Sequence, residues 1–342
     1  MMKSSITKFG EHNGQTVLMY TLINEHGTRL SVLNFAGIWH EFSVLDGNKR
    51  VNLLLSSPTM IGYTNNNYYI NRLIGRVAGR IKDAKYQYQG KTVVTPKNDG
   101  LNSLHGGDNG WANTFFNVTM TPESIVLKAK ITSAQDGFLG TLDSTIEYLL
   151  TSDNQVMIKM TGTQSLVDGV FNPTVHAYFN LGETSNILNH ILQLKSDNHL
   201  ALAVDKVPIG TLSPNQGAYD LAYSSSLKRP LIQLKNTTSE QGFDDVFVMN
   251  QSAGKTVAIL KDTVSSRTIE IKSKRNGLVV FTANTMTADI PTNHGQGRRW
   301  IAVALEPQTL PNSENIPEFG DVTLKSGETR QEVIIYQYHQ SF

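Results

Sequence analysis

Hydrophobic and polar positions alternate along most of this chain. The period is two in KYQYQGKTVV (85–94), SIVLKAKITS (124–133), STIEYLLTSDNQVMIKMTGT (144–163), SRTIEIKSK (266–274) and EVIIYQYH (332–339). Successive side chains of an extended strand point to opposite faces, so these runs predict half-buried β-strands. TRLSVLNFAG (28–37), KTVAILKD (255–262), GLVVFTAN (277–284) and RWIAVALE (299–306) read the same way. Gly, Asn and Asp punctuate the turns at DGNK (46–49), YQG (88–90) and TSDN (151–154). Helical periodicity is confined to short candidates at SSPTMIGY (56–63) and SNILNH (185–190).

At 342 residues the chain exceeds the roughly 250–300 at which single cores usually stop growing. Strand signals nevertheless continue from end to end with no linker, low-complexity block or fixed repeat, and all-β chains often run long as one unit. The expectation is an all-β fold: one large antiparallel β-sandwich domain over residues 1–342.

Composition narrows the partners. Thirty Lys+Arg stand against 29 Asp+Glu, a formal charge of +1, so no electrostatic footprint for nucleic acid or an anionic membrane is present. The charged share, 17%, is below the roughly 25% of an average domain, which favours a neutral small-molecule partner. The absence of cysteine removes thiolate nucleophiles, disulfides and Cys-based zinc sites. No stretch has the length of a signal-peptide core or the roughly 18 apolar residues of a membrane span, so a soluble, cytoplasmic protein is expected.

Four stretches break the alternation with chemistry-bearing residues. RLIGRVAGRIKD (72–83) sets Arg76 and Arg80 among glycines, where a guanidinium offers up to five donors to a closely approaching ligand or to the surface. LNSLHGGDNGW (101–111) places His105 before two glycines, in a loop or facing a cleft. VHAYFNL (175–181) puts Val175, Ala177, Phe179 and Leu181 on one strand face and His176, Tyr178 and Asn180 on the other. RWIAVALEPQ (299–308) aligns Ala302, Ala304, Glu306 and Gln308, so a carboxylate stands at the end of a face left open by small side chains. A strand-end glutamate held in a salt bridge is the bland alternative there. His105, His176, Asp244 and Glu306 are ligand-type residues, but none has the spacing of H-E-x-x-H or a His-x-His pair, and no Walker, Rossmann or G-x-S-x-G signature occurs. Neither a metal nor a cofactor is expected.

In their order, GRVAGR (75–80), LHGG (104–107), VHAYFNL (175–181), GFD (242–244) and LEPQ (305–308) resemble the aldose 1-epimerase (galactose mutarotase) family across nearly the whole chain. NFAG (34–37) and PNSENIPEFGDVTLKSGE (311–328) support the likeness. The resemblance implies a mutarotase-like β-sandwich with a sugar cleft across one sheet. It implies Glu306 as general base and His176 as general acid, Arg80, His105 and Asp244 binding the sugar, and Tyr178 lining the cleft. The implied reaction interconverts the α and β anomers of free hexoses such as galactose or glucose, and a homodimer is one oligomeric option. Departures from the family pattern fall at Gly79, Val175 and Val279, where the family has Asn, Asn and Gln; they bear on which sugar hydroxyls are recognised. A phosphorylated-hexose epimerase, a non-catalytic sugar-binding module and a glycoside hydrolase using Asp244 with Glu306 are the competing readings.

Overall fold

The computed structural model describes residues 2–223, 226–250 and 256–340. Three antiparallel sheets carry the fold. The first is a five-stranded meander in chain order: Lys3–His12, Gln15–Ile23, Arg29–Leu33, Trp39–Asp46 and Lys49–Asn52. The second has eight strands in the order Asn117–Met120, Ser124–Thr132, Thr141–Leu150, Gln155–Ser165, Thr329–Gln340, Arg267–Ser273, Thr256–Asp262 and His190–Leu194. The third has six: Tyr178–Phe179, Val303–Gln308, Gly277–Phe281, Asp244–Met249, Ser196–Leu202 and Pro208–Pro214.

The alternation seen in the sequence sets these registers. Gln155–Ser165 switches between partly and fully buried side chains at every step, and it pairs with Thr141–Leu150 from Thr141 opposite Ser165 to Leu150 opposite Val156. A slip of one residue would carry Val156, Ile158 and Met160 out of the core, so one register is strongly favoured. Side chains from all three sheets meet in a single core cluster, which makes the architecture a β-sandwich. At its centre Trp39 from the first sheet lies 4.9 Å from Tyr336 of the second and 6.2 Å from Phe179 of the third, ring centre to ring centre. A bridge between Leu54 and Phe179 joins the first and third sheets edge to edge.

Some local expectations change. The strand expected from Arg299 begins at Val303, because Trp300 takes a left-handed φ of 58° that ends an extended run. The stretch 175–181 is two short pairings, Thr174–Val175 with Leu73–Ile74 and Tyr178–Phe179 with Ala304 and Val303, and both of its faces are buried. The helix expected near 56–63 forms as Met60–Thr64, with Thr59 Oγ1 accepting the Gly62 amide. Residues 185–190 form turns instead: the Asn186 side chain accepts the Leu188 amide, and the Ile187 carbonyl accepts that of His190. A helix absent from the sequence reading spans Lys228–Thr237, burying Leu231 and Leu234; Pro230 lies in its first turn, where no helical N–H is needed. Lys255, first residue of one expected strand, lies outside the described residues. No helix among them is long and apolar enough to cross a membrane.

Candidate active site

Strand register aligns one face of the third sheet into two rows. Tyr178 pairs with Ala304, Ala304 with Phe281, and Phe281 with Asp244; the next row runs Glu306, Val279, Val246. Cross-strand partners project from the same face. Ala302 and Ala304 are wholly buried in an apolar cluster with Tyr178 and do not border the cleft, so the open space that the alanine pattern suggested is filled at the alanines themselves. The face floors a cleft of about 540 Å³, which all six expected site residues border: Arg80, His105, His176, Tyr178, Asp244 and Glu306.

The backbone holds each of them. The His176 amide donates to the Arg72 carbonyl and its carbonyl accepts from Asn71, fixing the residue between two strand pairs. Its ring stacks on Tyr178 at 5.0 Å and meets His105 edge-on at 5.4 Å. His176 Nε2 lies 3.3 Å from Glu306 Oε1. Asn180 donates to the carbonyls of Ile301 and Thr184, tying the same stretch to the approach of the Glu306 strand.

His105 sits at φ 55°, with its amide on the Gly79 carbonyl and its Nδ1 accepting the Gly79 N–H at 3.2 Å. That bond assigns the ring hydrogen to Nε2, so His105 offers a donor. Gly106 follows at φ 82°, and a Cβ there would overlap the Gly75 carbonyl oxygen; only glycine lets the loop pass. Leu104 pairs with Arg80, bringing the arginine beside His105. Arg80 Nε donates to Asp99 at 2.6 Å.

The largest electrostatic perturbations fall on His105, His176 and Glu306. Burial holds His176 down to about 3 and His105 well below the ordinary histidine range. Burial, with the nearby Asp244 charge, holds Glu306 well above the usual carboxylate range, and burial also raises Asp244. At 3.3 Å the Glu306–His176 pair thus holds one proton in total, which these shifts place on the carboxyl in the free site. His176 Nδ1, Glu306 Oε2 and both polar atoms of the Gln308 amide have no hydrogen-bond partner among the described residues. Buried polar atoms left this way cost stability unless a ligand satisfies them.

His105, His176 and Glu306 also have ligand-type atoms within 4.8 Å of one another. The donor chemistry fits a metal poorly: with Nδ1 engaged by Gly79, His105 would have to lose its Nε2 hydrogen to coordinate.

Two findings change the sequence reading. Arg76, expected at the surface or near a ligand, is wholly buried and bound to Asp136 at 2.6 Å, with further bonds to the carbonyls of Leu139, Ile131 and Gly140; it braces the core. Tyr178 has no accessible surface, its hydroxyl being spent on the Tyr68 carbonyl. The aromatic surface offered to the cleft comes from the partly buried Tyr68 and Phe281, stacked at 6.4 Å, and from Tyr69, which lies 4.9 Å from the His105 ring and 6.2 Å from that of His176. Gln308 also borders the cleft, and its signal was the period-two alignment with Glu306. Tyr68, in the run NNNYY, gave no comparable signal.

Residues 18–337 match the aldose 1-epimerase family model. The chain is 37% identical over 337 residues to the "Maltose epimerase" of Levilactobacillus brevis, spanning 96% of this chain and 97% of that protein. It is 34% identical over 352 residues to the "Aldose 1-epimerase" of Streptococcus thermophilus, 99% of each. Among solved structures, the GalM/aldose epimerase homologue from C. elegans superposes with a TM-score of 0.86 at 23% identity, over 93% of this chain and 98% of that one. Galactose 1-epimerase from Lactobacillus acidophilus gives 0.84 at 22% over the full length of both, and these two likenesses speak for the fold. The chain belongs to the aldose 1-epimerase family, isomerases that interconvert the anomers of a sugar.

Proposed function

We propose that Glu306 removes the C1 hydroxyl proton of a free aldose while His176 protonates the ring oxygen, opening the ring to the aldehyde. Rotation about C1–C2 then presents the other carbonyl face, and reclosure returns both protons. The observation that carries this reading is the pair itself: two groups 3.3 Å apart, both buried and each with an atom free for a ligand. The proton count is conserved, and because the free site holds its proton on Glu306, the bound closed-ring sugar has to favour transfer of that proton to His176. The closed ring needs carboxylate and imidazolium, the open chain carboxylic acid and neutral imidazole, and each state holds one proton on the pair. General acid and base each contribute about 10²–10⁴ in rate.

Arg80 and the His105 Nε2–H supply donors, and Asp244 accepts from sugar hydroxyls. Tyr178 fixes the plane of the His176 ring, while Tyr68 and Phe281 offer apolar surface to the sugar face. Galactose and glucose are the proposed substrates. The cleft volume and the relative named for maltose support a reducing disaccharide as a further one. A dedicated phosphate site has little support, since Arg80 and Lys206, the cations bordering the cleft, are engaged by Asp99 and Glu240.

The test is polarimetry on Glu306→Gln and His176→Asn, each expected to slow mutarotation by about 10²–10⁴-fold. A wild-type rate in either variant overturns that residue's role. Rates on galactose, glucose, arabinose, xylose and maltose would rank the substrates.

A further inference from the structure

A second cavity, of about 240 Å³, lies outside the epimerase cleft. Its wall includes Tyr86, Tyr88, Glu314, Pro317, Asp321 and Val322, and no lysine, arginine or histidine borders it. Both carboxylate oxygens of Glu314 and the hydroxyl of Tyr86 are shielded from solvent and have no side-chain or backbone partner satisfying hydrogen-bond geometry among the described residues. Tyr86 is 3% exposed, so its unpartnered hydroxyl is a property of the interior. Glu314 enters none of the ion pairs formed by the described residues. Burial pushes its carboxyl up to about 7, with only its own backbone N–H favouring the charged form.

The position is built rather than incidental. Glu314 stands in a turn in which the Asn312 carbonyl accepts the amides of Asn315 and Ile316. The Asn312 side chain accepts the Lys82 amide, and Asn315 donates to the Lys85 carbonyl, pinning the turn against the strand that carries Tyr86. Tyr88 has its hydroxyl on Asp168.

We propose that this cavity binds a small organic ammonium ion, a protonated primary amine with a short carbon body. The unpartnered acceptors are the Glu314 carboxylate and the Tyr86 phenol oxygen, which suit N–H donors, whereas Asp321 already accepts the Thr323 amide. Tyr86 and Tyr88 provide aromatic rings of the kind that attract ammonium groups, and Pro317 and Val322 provide apolar surface for the carbon chain. A water molecule's share of liquid volume is about 30 Å³, so the cavity holds a ligand of several heavy atoms.

The experiment titrates butylammonium chloride into the full chain, read by saturation-transfer NMR and by thermal unfolding. Potassium chloride and tetramethylammonium chloride at equal ionic strength serve as probes without N–H donors. Binding on the order of 1 mM is expected for a ligand of this size. It should weaken at least tenfold in Glu314→Gln and several-fold in Tyr86→Phe, and persist in Glu306→Gln, which separates it from the epimerase cleft. The proposal is overturned by no binding up to 50-fold above that concentration, by equal protection from tetramethylammonium or potassium, by wild-type affinity in Glu314→Gln, or by loss of binding in Glu306→Gln.

Discussion

Arg76 and Arg80 stand four residues apart in one glycine-rich stretch and look alike in the sequence, yet the fold uses them in opposite ways. Arg76 is fully buried, and Asp136 plus three backbone carbonyls take up its donors. Arg80 keeps about a quarter of its side chain exposed at the cleft, with Nε on Asp99. Asp136 lies sixty residues away in the chain, so no local pattern could reveal which arginine it claims. An arginine's role follows from which acceptors reach it, and a buried guanidinium is tolerable only when they all do.

The comparison is open to attack, beginning with the largest effect. Arg76→Met orphans Asp136 in the interior and should cost about 3–5 kcal/mol in urea unfolding; adding Asp136→Leu should restore most of it, because neither charge is then left alone. A loss under 1 kcal/mol in the single variant would sink the bracing role. Arg80→Met should leave stability within about 1 kcal/mol. On the proposed sugar contact it should lower kcat/KM for mutarotation about 10- to 100-fold, the worth of a charged hydrogen bond. Unchanged kinetics would remove Arg80 from the site. Gly79 lies between the two at φ 75°, where an added Cβ would come 2.5 Å from Pro311. Gly79→Ala should cost about 1–3 kcal/mol and raise KM, since the Gly79 N–H is also the bond that orients His105. A variant as stable as wild type would show that the turn has slack.

The gentlest test extends the contrast from arginines to acids. Asp136 has its cation; Glu314 has none. The Glu314 pKa is raised from 4.5 to about 7, so its stabilising contribution is fully present below pH 4.5 and is lost as pH rises through about 7. Urea unfolding at pH 5 and at pH 7.5 should show wild type losing more stability on that rise than Glu314→Gln. Equal losses would mean the carboxyl is solvated.

Much of the fold was legible because period-two patterning is a surface property of a strand: where one face meets the core, the sequence must alternate. The long strands Thr141–Leu150, Gln155–Ser165 and Thr329–Gln340 show this, and so does the hairpin at 85–94. The rule weakened where both faces are buried, as in 175–181, and where one backbone angle ended an extended run, as at Trp300. The helix Lys228–Thr237 was obscured by Pro230, which interrupts its stripe of leucines. For the candidate site, motif order named six side chains that the fold gathers around one cleft. The alternation of LEPQ aligned Gln308 with Glu306. Invisible in the sequence were Tyr68, Tyr69 and Phe281 as the partly uncovered aromatic surface of the cleft, since that depends on which rings the surrounding loops leave open.

The eight-stranded sheet is closed by the latest of its strands in chain order. Thr329–Gln340 lies between Gln155–Ser165 and Arg267–Ser273, strands more than a hundred residues apart. Until it docks, the sheet is two fragments, each ending in a long row of unpaired N–H and C=O groups over exposed apolar side chains. Such rows are templates for pairing with another chain. Clipping this one strand would therefore do more than lower stability: it would turn the centre of a sheet into two sticky edges, so that aggregation, not a stable shortened fold, is the physical destiny of a chain cut before Thr329.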